Sequence, residues 1–239
     1  MAFLEGIGVT KYFGGLAALV DVDFYVEEGE IVSLIGPNGS GKTTLFNLIG
    51  GHLKPSRGEI HFSGEKITGL RPYQICQRGI GRAFQIVSPF FNLTVLDNII
   101  TGSLFGRGWQ EVKAARKEAC QILDFVGLSE KKMALARNLS IGELKRLEVA
   151  LALSTRPRLL LLDEVLAGLS PKGALEIMGL IKEVRDNGVT VFIIEHVLKA
   201  VTGISDRVMV LDQGNKIAEG RPEEIVANRR VIEAYLGEK

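Results

Sequence analysis

The stretch GPNGSGKT, residues 36–43, limits what this chain can fold into more than any other segment. It matches G-x-x-x-x-G-K-[ST], follows the apolar run EIVSLIG (30–36) and leads into TTLFNLIGG (43–51), which has a helical pattern. An apolar strand handed to a helix through such a loop is the setting in which this motif cradles phosphate. Gly36, Gly39 and Gly41 allow backbone N–H groups to turn inward around phosphate oxygens, and the helix N-terminus adds the positive end of its dipole. Pro37, Asn38, Ser40 and Thr44 belong to the same cradle, Lys42 reaches the terminal phosphates, and the Thr43 hydroxyl suits Mg²⁺.

The rest of the chain supplies the sheet that such a loop needs. FLEGIGVTKYF, VDFYVEEGE and EIVSLIG read as strands separated by turn residues, and GEIHFSGEKI returns to strand character after the first helix. Over residues 89–156 the texture changes to three helical stretches: TVLDNIITGSLF, WQEVKAARKEACQILDFVG and SIGELKRLEVALALS. After Pro157, strands and helices alternate again through RLLLLDE, PKGALEIMGLIKEVRDNG, VTVFIIE, HVLKAVTGI and DRVMVLDQG, ending in a short helix pair. Ser170 and Pro171 open one of these helices with N-cap and N1 chemistry, and Ile177, Ile181 and Val184 give it an apolar stripe. Strands made only of Leu, Val and Ile, alternating with helices, imply an α/β domain with a mostly parallel sheet covered on both faces. One domain over residues 1–239, carrying a helical insertion at 89–156, is the expected organisation.

Composition removes other classes. The apolar fraction of 46% is enough for a sizeable core, and a formal net charge of +1 offers no general attraction for nucleic acid. The N-terminus lacks the basic and long apolar regions of a signal peptide, and no apolar run reaches bilayer length. Cys76 and Cys120 form no CxxC and read as core thiols of a reducing compartment. An intracellular chain is expected, with any membrane role arising through a partner. His52 and His61 read as structural, and Trp109 with the basic run Lys113 to Lys117 as the solvated side of a helix.

Two further segments carry chemistry. LLLLDE, residues 159–164, is an apolar strand ending on two acids at its carboxyl end, where sheets of this kind bind ligands. With a phosphate loop upstream, Asp163 is expected to hold Mg²⁺ through its water shell and Glu164 to polarise an attacking water. NLSIGELKRLE, residues 138–148, contains a capping box in which Ser140 is the N-cap and Glu143 reaches back to it. Leu144, Leu147 and Leu151 then mark one apolar helical face. This helix start is either only a capped end or one aimed at phosphate.

These motifs, in this order, resemble the ATP-binding subunits of ABC transporters over essentially the whole chain. The resemblance implies a P-loop NTPase fold of the RecA-like type, with an antiparallel β subdomain and a helical sub-lobe, and ATP with Mg²⁺ as cofactors. Gln85 in GRAFQ is similar to the Q-loop glutamine that joins the metal site, and LSIGE (139–143) stands in the place of the LSGGQ signature. His196 resembles the switch histidine, which with Glu164 and Gln85 makes up the implied catalytic set. Phe13 resembles the adenine-stacking aromatic, with Tyr12 as the other candidate. In the family two ATPase domains face each other head to tail, so that Ser140 and Gly142 would contact ATP held by the opposite subunit. Implied partners are that second ATPase subunit (a copy or a related chain), two membrane-spanning permease subunits and, indirectly, a periplasmic or surface substrate-binding protein. Nucleic acid is not expected. The implied location is the cytoplasmic face of the cell membrane.

The chain departs from the family pattern at four places. Ile141 replaces the first signature Gly and must sit in ordinary helical geometry, since φ > 0 is closed to it. Val165 stands where Pro usually follows the catalytic Glu, Ser170 takes the usual Asp place in the D-loop, and Val197 follows the switch His where Asp is frequent. None of the four removes a phosphate, metal or base group. FGGLAALVDVDF, RAFQIVSPFFNLTVLDNI and the ending VIEAYLGE resemble the ATPases of high-affinity branched-chain amino-acid importers. That branch also includes importers of urea, short amides and aromatic acids. A soluble non-transport ABC ATPase and a P-loop kinase are the readings from other classes.

Overall fold

The computed structural model describes residues 2–83, 89–106, 108, 111–196 and 198–236. In chain order the elements are β1 (Leu4–Phe13), β2 (Leu16–Val26), β3 (Ile31–Ile35), α1 (Lys42–Ile49), β4 (Arg57–Phe62), β5 (Glu65–Lys66), α2 (Pro72–Gln77) and β6 (Ile80–Ala83). There follow α3 (Val95–Phe105), α4 (Val112–Phe125), α5 (Ile141–Ser154), β7 (Leu159–Asp163), α6 (Pro171–Asp186) and β8 (Thr190–Ile194). The chain ends in α7 (Leu198–Ile204), β9 (Arg207–Asp212), β10 (Asn215–Gly220), α8 (Pro222–Val226) and α9 (Arg229–Leu236). They make two compact units, one of residues 1–75 with 190–239 and one of residues 76–189.

The first unit holds two sheets. β2, β1, β4 and β5 form an antiparallel sheet in that order, with register shifts along β1 between Gly6 and Tyr12. In the other, β3 runs parallel to both β8 and β9, and β10 closes antiparallel on β9. Every residue of β3 and β8 is buried, as expected for parallel strands covered on both faces. The one polar side chain within β3, Ser33, meets the Ser205 hydroxyl at 2.6 Å. Phe192 of β8 packs against Phe46 of α1, ring centroids 5.0 Å apart, and against Phe24 of β2 at 6.3 Å. Burial of each such ring stabilises by about 1.5–3 kcal/mol. These contacts seat α1 on the sheet and so fix where the preceding loop can go. A second cluster of Ile35, Val201, Val208, Val210, Ile225 and Val231 brings α7, α8 and α9 to the end of β3.

The second unit pairs β6 with β7 in parallel, Ile80 opposite Leu159 through Ala83 opposite Leu162. Helices α3, α4 and α5 lie between these strands in sequence and pack on one another. Arg156, at φ 55°, ties the end of α5 to its neighbours. Its guanidinium donates to both Glu118 oxygens at 2.8 Å, to the Gly108 carbonyl at 2.8 Å and to the Ser103 carbonyl at 2.9 Å. The helix α6 starts as its sequence implies: the Ser170 hydroxyl accepts from the Gly173 N–H at 3.2 Å, Pro171 follows, and Ile177, Ile181 and Val184 are buried. Ser170 therefore serves as an N-cap.

Three sequence expectations need correction. The thiols of Cys76 and Cys120 are not core groups, since both residues are partly exposed, on α2 and α4. The helix α2 itself was not anticipated, because PYQICQ is too short to show a period. The helix α5 does not bury a single Leu stripe. Leu147 is buried, but Leu144 and Leu151 are only half-buried, whereas Lys145 and Glu148 are each 5% exposed. Contacts with α3, α4 and β6 cover more than one face of α5, and the two charges enter as an i,i+3 ion pair at 3.6 Å. Removing one partner of such a pair costs far more than the pair itself contributes.

Candidate functional site

The loop between β3 and α1 has the geometry of an anion cradle. Gly36, Gly39 and Gly41 have φ of 151°, 81° and 104°, which side chains rarely tolerate. At Gly36 a Cβ would collide with the Leu211 carbonyl and sit 2.7 Å from Ser40 Oγ; at Gly41 it would lie 2.5 Å from the Ala18 carbonyl. No side chain caps α1 and no acid stands in its first turn, so the dipole at its start is not offset by the helix itself. Lys42, 7% exposed, folds back into the loop and donates to the carbonyls of Gly36 at 2.8 Å and Pro37 at 2.9 Å. The Ser40 side chain is 2% exposed, and its hydroxyl makes no hydrogen bond among the described residues. Thr43 is exposed at the first turn of α1 and Thr44 half-buried beside it. A phosphate-sized anion finds a turn of three positive-φ glycines, a dipole end and an ammonium in one place.

Three other predicted residues belong to the same unit. Tyr12 and Phe13 end β1 with 41% and 47% exposure, so both rings present a face to solvent. Lys11 places its ammonium 5.1 Å from the Phe13 ring centroid while donating to the Lys54 carbonyl at 2.8 Å. His196 is exposed just past β8, following the fully buried Glu195. Gln85, Trp109 and Val197 lie outside the described residues.

In the second unit Asp163 is the last residue of β7 and is 2% exposed. Its Oδ2 accepts from Arg82 Nη2 at 3.0 Å, the Arg82 side chain being 8% exposed. Burial draws the Arg82 pKa below its ordinary value, against the pull of the Asp163 charge. Sequence reading missed this arginine. Its signal was a charge inside the otherwise apolar strand IGRA, and its partner follows from register: Arg82 sits opposite Leu161, and Asp163 shares that face two residues on. Replacing Arg82 by Leu removes one charged partner of a buried carboxylate, so the variant loses about 3–5 kcal/mol of stability. Urea denaturation of the two proteins checks this. The next residue, Glu164, is half-buried at φ 50°, with its carbonyl accepting from the Ala167 N–H at 3.1 Å. A glutamate in the left-handed region is uncommon and stores local strain.

The start of α5 carries the expected capping box. The Glu143 carboxylate accepts from the Ser140 N–H at 2.8 Å and from its hydroxyl at 2.9 Å, while Ser140 Oγ accepts from the Glu143 N–H at 3.4 Å. The Ser140 backbone bond, ahead of those from the Ser140 hydroxyl and Lys131, holds the Glu143 pKa below its ordinary value. A lowered carboxylate pKa means that the box stabilises fully above the ordinary glutamate range and loses that contribution as pH falls through the depressed value. Ile141 occupies the first helical position, 60% exposed, and Gly142 follows it half-buried. Among the described residues no group of three or more His, Cys, Asp or Glu side chains could hold a metal by itself.

A strand–glycine loop–helix cradle on a mostly parallel sheet, with an acid-ended strand and a helical insertion, defines a P-loop nucleotide-binding ATPase. Comparison with known proteins is more specific. The ABC transporter family matches residues 19–167, and a second family, described as branched-chain amino acid ATP-binding cassette transporter, matches residues 215–239. The high-affinity branched-chain amino acid transport ATP-binding protein BraF of Pseudomonas aeruginosa is 41% identical over 249 residues, covering 98% of this chain and 98% of its own. Among solved structures, the ADP conformation of an ATP-binding cassette of an ABC transporter has a TM-score of 0.92 at 35% identity, covering 100% of both chains. A dimeric cassette in a post-hydrolysis state, bound to ADP and Pi, has a TM-score of 0.82 at 30% identity, covering 92% of this chain and 98% of its own. The chain belongs to the ABC transporter family, as an ATP-binding and ATP-hydrolysing subunit.

Proposed function

We propose that this chain powers an importer of branched-chain amino acids from the cytoplasmic face of the membrane, as one half of an ATP-sandwiched pair of ATPase subunits. The observation that carries the ATP reading is the β3–α1 loop, with three left-handed glycines around the buried Lys42 ammonium. In this reading Gly36 to Thr44 surround the phosphates and Phe13, or Tyr12 beside it, stacks on adenine. The Thr43 hydroxyl, the Asp163 carboxylate and Gln85 would hold Mg²⁺. Oxygen donors of this kind suit so hard a cation, which supplies charge neutralisation of the phosphates when bound. Glu164 is the base for the attacking water and His196 the group that senses the terminal phosphate. Residues 89–156 form the helical subdomain that carries Ser140 and Gly142 to the nucleotide of the opposite subunit.

For Ser140 to meet that phosphate, its hydroxyl must leave the Glu143 carboxylate, because an anion does not share a donor with a second anion at no cost. The capping box is then the resting state of the signature and its opening part of dimer closure. The partners are a second ATPase, two permease subunits and, through them, a substrate-binding protein outside the membrane. No described helix of this chain is long and apolar enough to cross a membrane, and in this reading the permease subunits provide the path for the cargo. Phe90 and Phe91, 60% and 45% exposed, fit a face that receives a permease segment. The match at residues 215–239 and the cargo named for BraF support branched-chain amino acids over urea, short amides or aromatic acids.

The test is uptake by proteoliposomes holding this chain with its co-purifying membrane subunits and binding protein. ATP-dependent uptake of labelled leucine, isoleucine or valine is expected, and uptake of urea, amides or aromatic acids alone would reassign the cargo. In the same preparation, crosslinks from cysteines introduced at Phe90 or Phe91 should land on membrane proteins. Crosslinks confined to soluble or nucleic-acid partners would remove the transport reading.

A further inference from the structure

The C-terminal helix touches the phosphate loop through one hydrogen bond that no motif accounts for. Tyr235, in the last turn of α9, accepts from the Gly36 N–H at 2.8 Å. Gly36 is the first residue beyond β3, whose pairing with β9 ends at Ile35 opposite Val210. The chain leaves the sheet there at φ 151°, so the Gly36 N–H falls outside the ladder. The spot is crowded, because even a methyl group on Gly36 would meet the Leu211 carbonyl. A backbone donor in such a place needs a partner, and the phenol oxygen is that partner. Burial raises the Tyr235 pKa above its ordinary value, against the pull of the Gly36 hydrogen bond.

The helix is held for this contact. Val231, one turn before Tyr235 on the same face, is 4% exposed and belongs to the apolar cluster that contains Ile35, the residue next to Gly36. Ile225 of α8 joins the same cluster. The loop is therefore tied to the end of the chain twice, by packing on Ile35 and by the hydrogen bond to Gly36. Lys42 closes the circuit from the other side, since its ammonium is bonded to the Gly36 carbonyl. Tyr235 is 36% exposed, and a phenylalanine would fill the same volume without the acceptor.

We infer that Tyr235 is a positioning residue for nucleotide binding, its hydroxyl fixing the first peptide of the phosphate loop so that the C-terminal helix and the ATP site are coupled. The inference rests on the reading that the β3–α1 loop binds ATP. Because binding free energies are reciprocal, ATP in the loop should protect α9 by the same factor that docking of α9 adds to ATP affinity. A loop held in its binding conformation before the ligand arrives loses less freedom on binding. A contact made equally to the bound substrate and to the transition state changes affinity and leaves turnover at saturation alone.

The decisive variant is Tyr235→Phe, which keeps the ring and deletes the acceptor. In the nucleotide-free protein the Gly36 amide, followed by NMR hydrogen exchange, should exchange about fivefold faster, the effect of losing one ordinary hydrogen bond. The ATP dissociation constant should rise by about the same factor, with kcat at saturating ATP within about twofold of wild type. Saturating ATP should slow exchange in α9 of the wild type, and less so in the variant. An unchanged Gly36 exchange rate together with unchanged ATP affinity would overturn the inference. So would a fall in affinity that only follows a loss of folded protein, read by circular dichroism at the assay temperature. Should the wild type itself fail to bind ATP, the reading of the loop is lost, while Gly36 exchange still decides what Tyr235 holds.

Discussion

Lys42→Ala abolishes tight ATP binding and leaves the protein folded. The ammonium is a buried cation of the cradle, the residue 7% exposed, and in the nucleotide-free protein it donates to the Gly36 and Pro37 carbonyls. A terminal phosphate in the loop exchanges those neutral acceptors for anionic ones, which bind roughly twice as strongly. With each bond to a charged group worth about 1.5–3 kcal/mol, loss of two lowers affinity by at least about a hundredfold. The two carbonyls left behind can be reached by water once the side chain is gone, so the cost to stability is small beside the cost to binding. Nucleotide titration with a circular-dichroism control measures both. A folded variant with unchanged affinity would remove the phosphate from this loop altogether.

The second large effect belongs to Glu164. If its carboxylate takes the proton of the attacking water, Glu164→Gln lowers turnover by about 10²–10⁴-fold, since an amide has the same shape and almost no basicity. ATP and Mg²⁺ binding should survive, because no phosphate or metal contact is assigned to that side chain. The closed dimer then accumulates with ATP, there being no hydrolysis to release it. Adding Ser140→Arg in the same background should prevent that accumulation, by placing bulk where the phosphate of the opposite subunit must sit, while ATP binding to the monomer stays within about twofold. With a different chain as the partner, only the site built from this chain's signature is lost. Size-exclusion chromatography with ATP, beside nucleotide binding by the monomer, reads both results. Dimers that persist with Ser140→Arg would leave LSIGE as a capping box alone.

The parts of this protein that were legible early share one property: each is written in neighbouring residues. The three glycines of GPNGSGKT do take left-handed conformations, and Lys42 does turn into the loop they make. Strands such as LLLLD and TVFII announce their double burial by having no polar alternation. The capping box of α5 and the Ser170–Pro171 start of α6 need only a three-residue reach, and both are present. The failures have the opposite character. The stripe expected on α5 presumed one buried face, whereas α3, α4 and β6 cover more than one and draw in Lys145 and Glu148 as a pair. A helix pattern counts residues along one element and carries no information about how many neighbours that element will meet.

The same division holds at the candidate site. Local sequence by itself determined the glycine loop, the acid-ended strand and the helix caps, because the φ angles open to glycine, strand alternation and capping geometry are set over a few consecutive residues. Tertiary structure alone decided that Arg82 lies beside Asp163, that Glu164 leaves its strand at a positive φ, and that Tyr235 reaches Gly36. The first depends on the register of β6 against β7, and the last on a contact across nearly the whole length of the chain. Such pairings are selected by the packing of distant apolar surfaces, as where Ile35 and Val231 share one cluster, and only then do the polar groups they carry come within hydrogen-bonding distance.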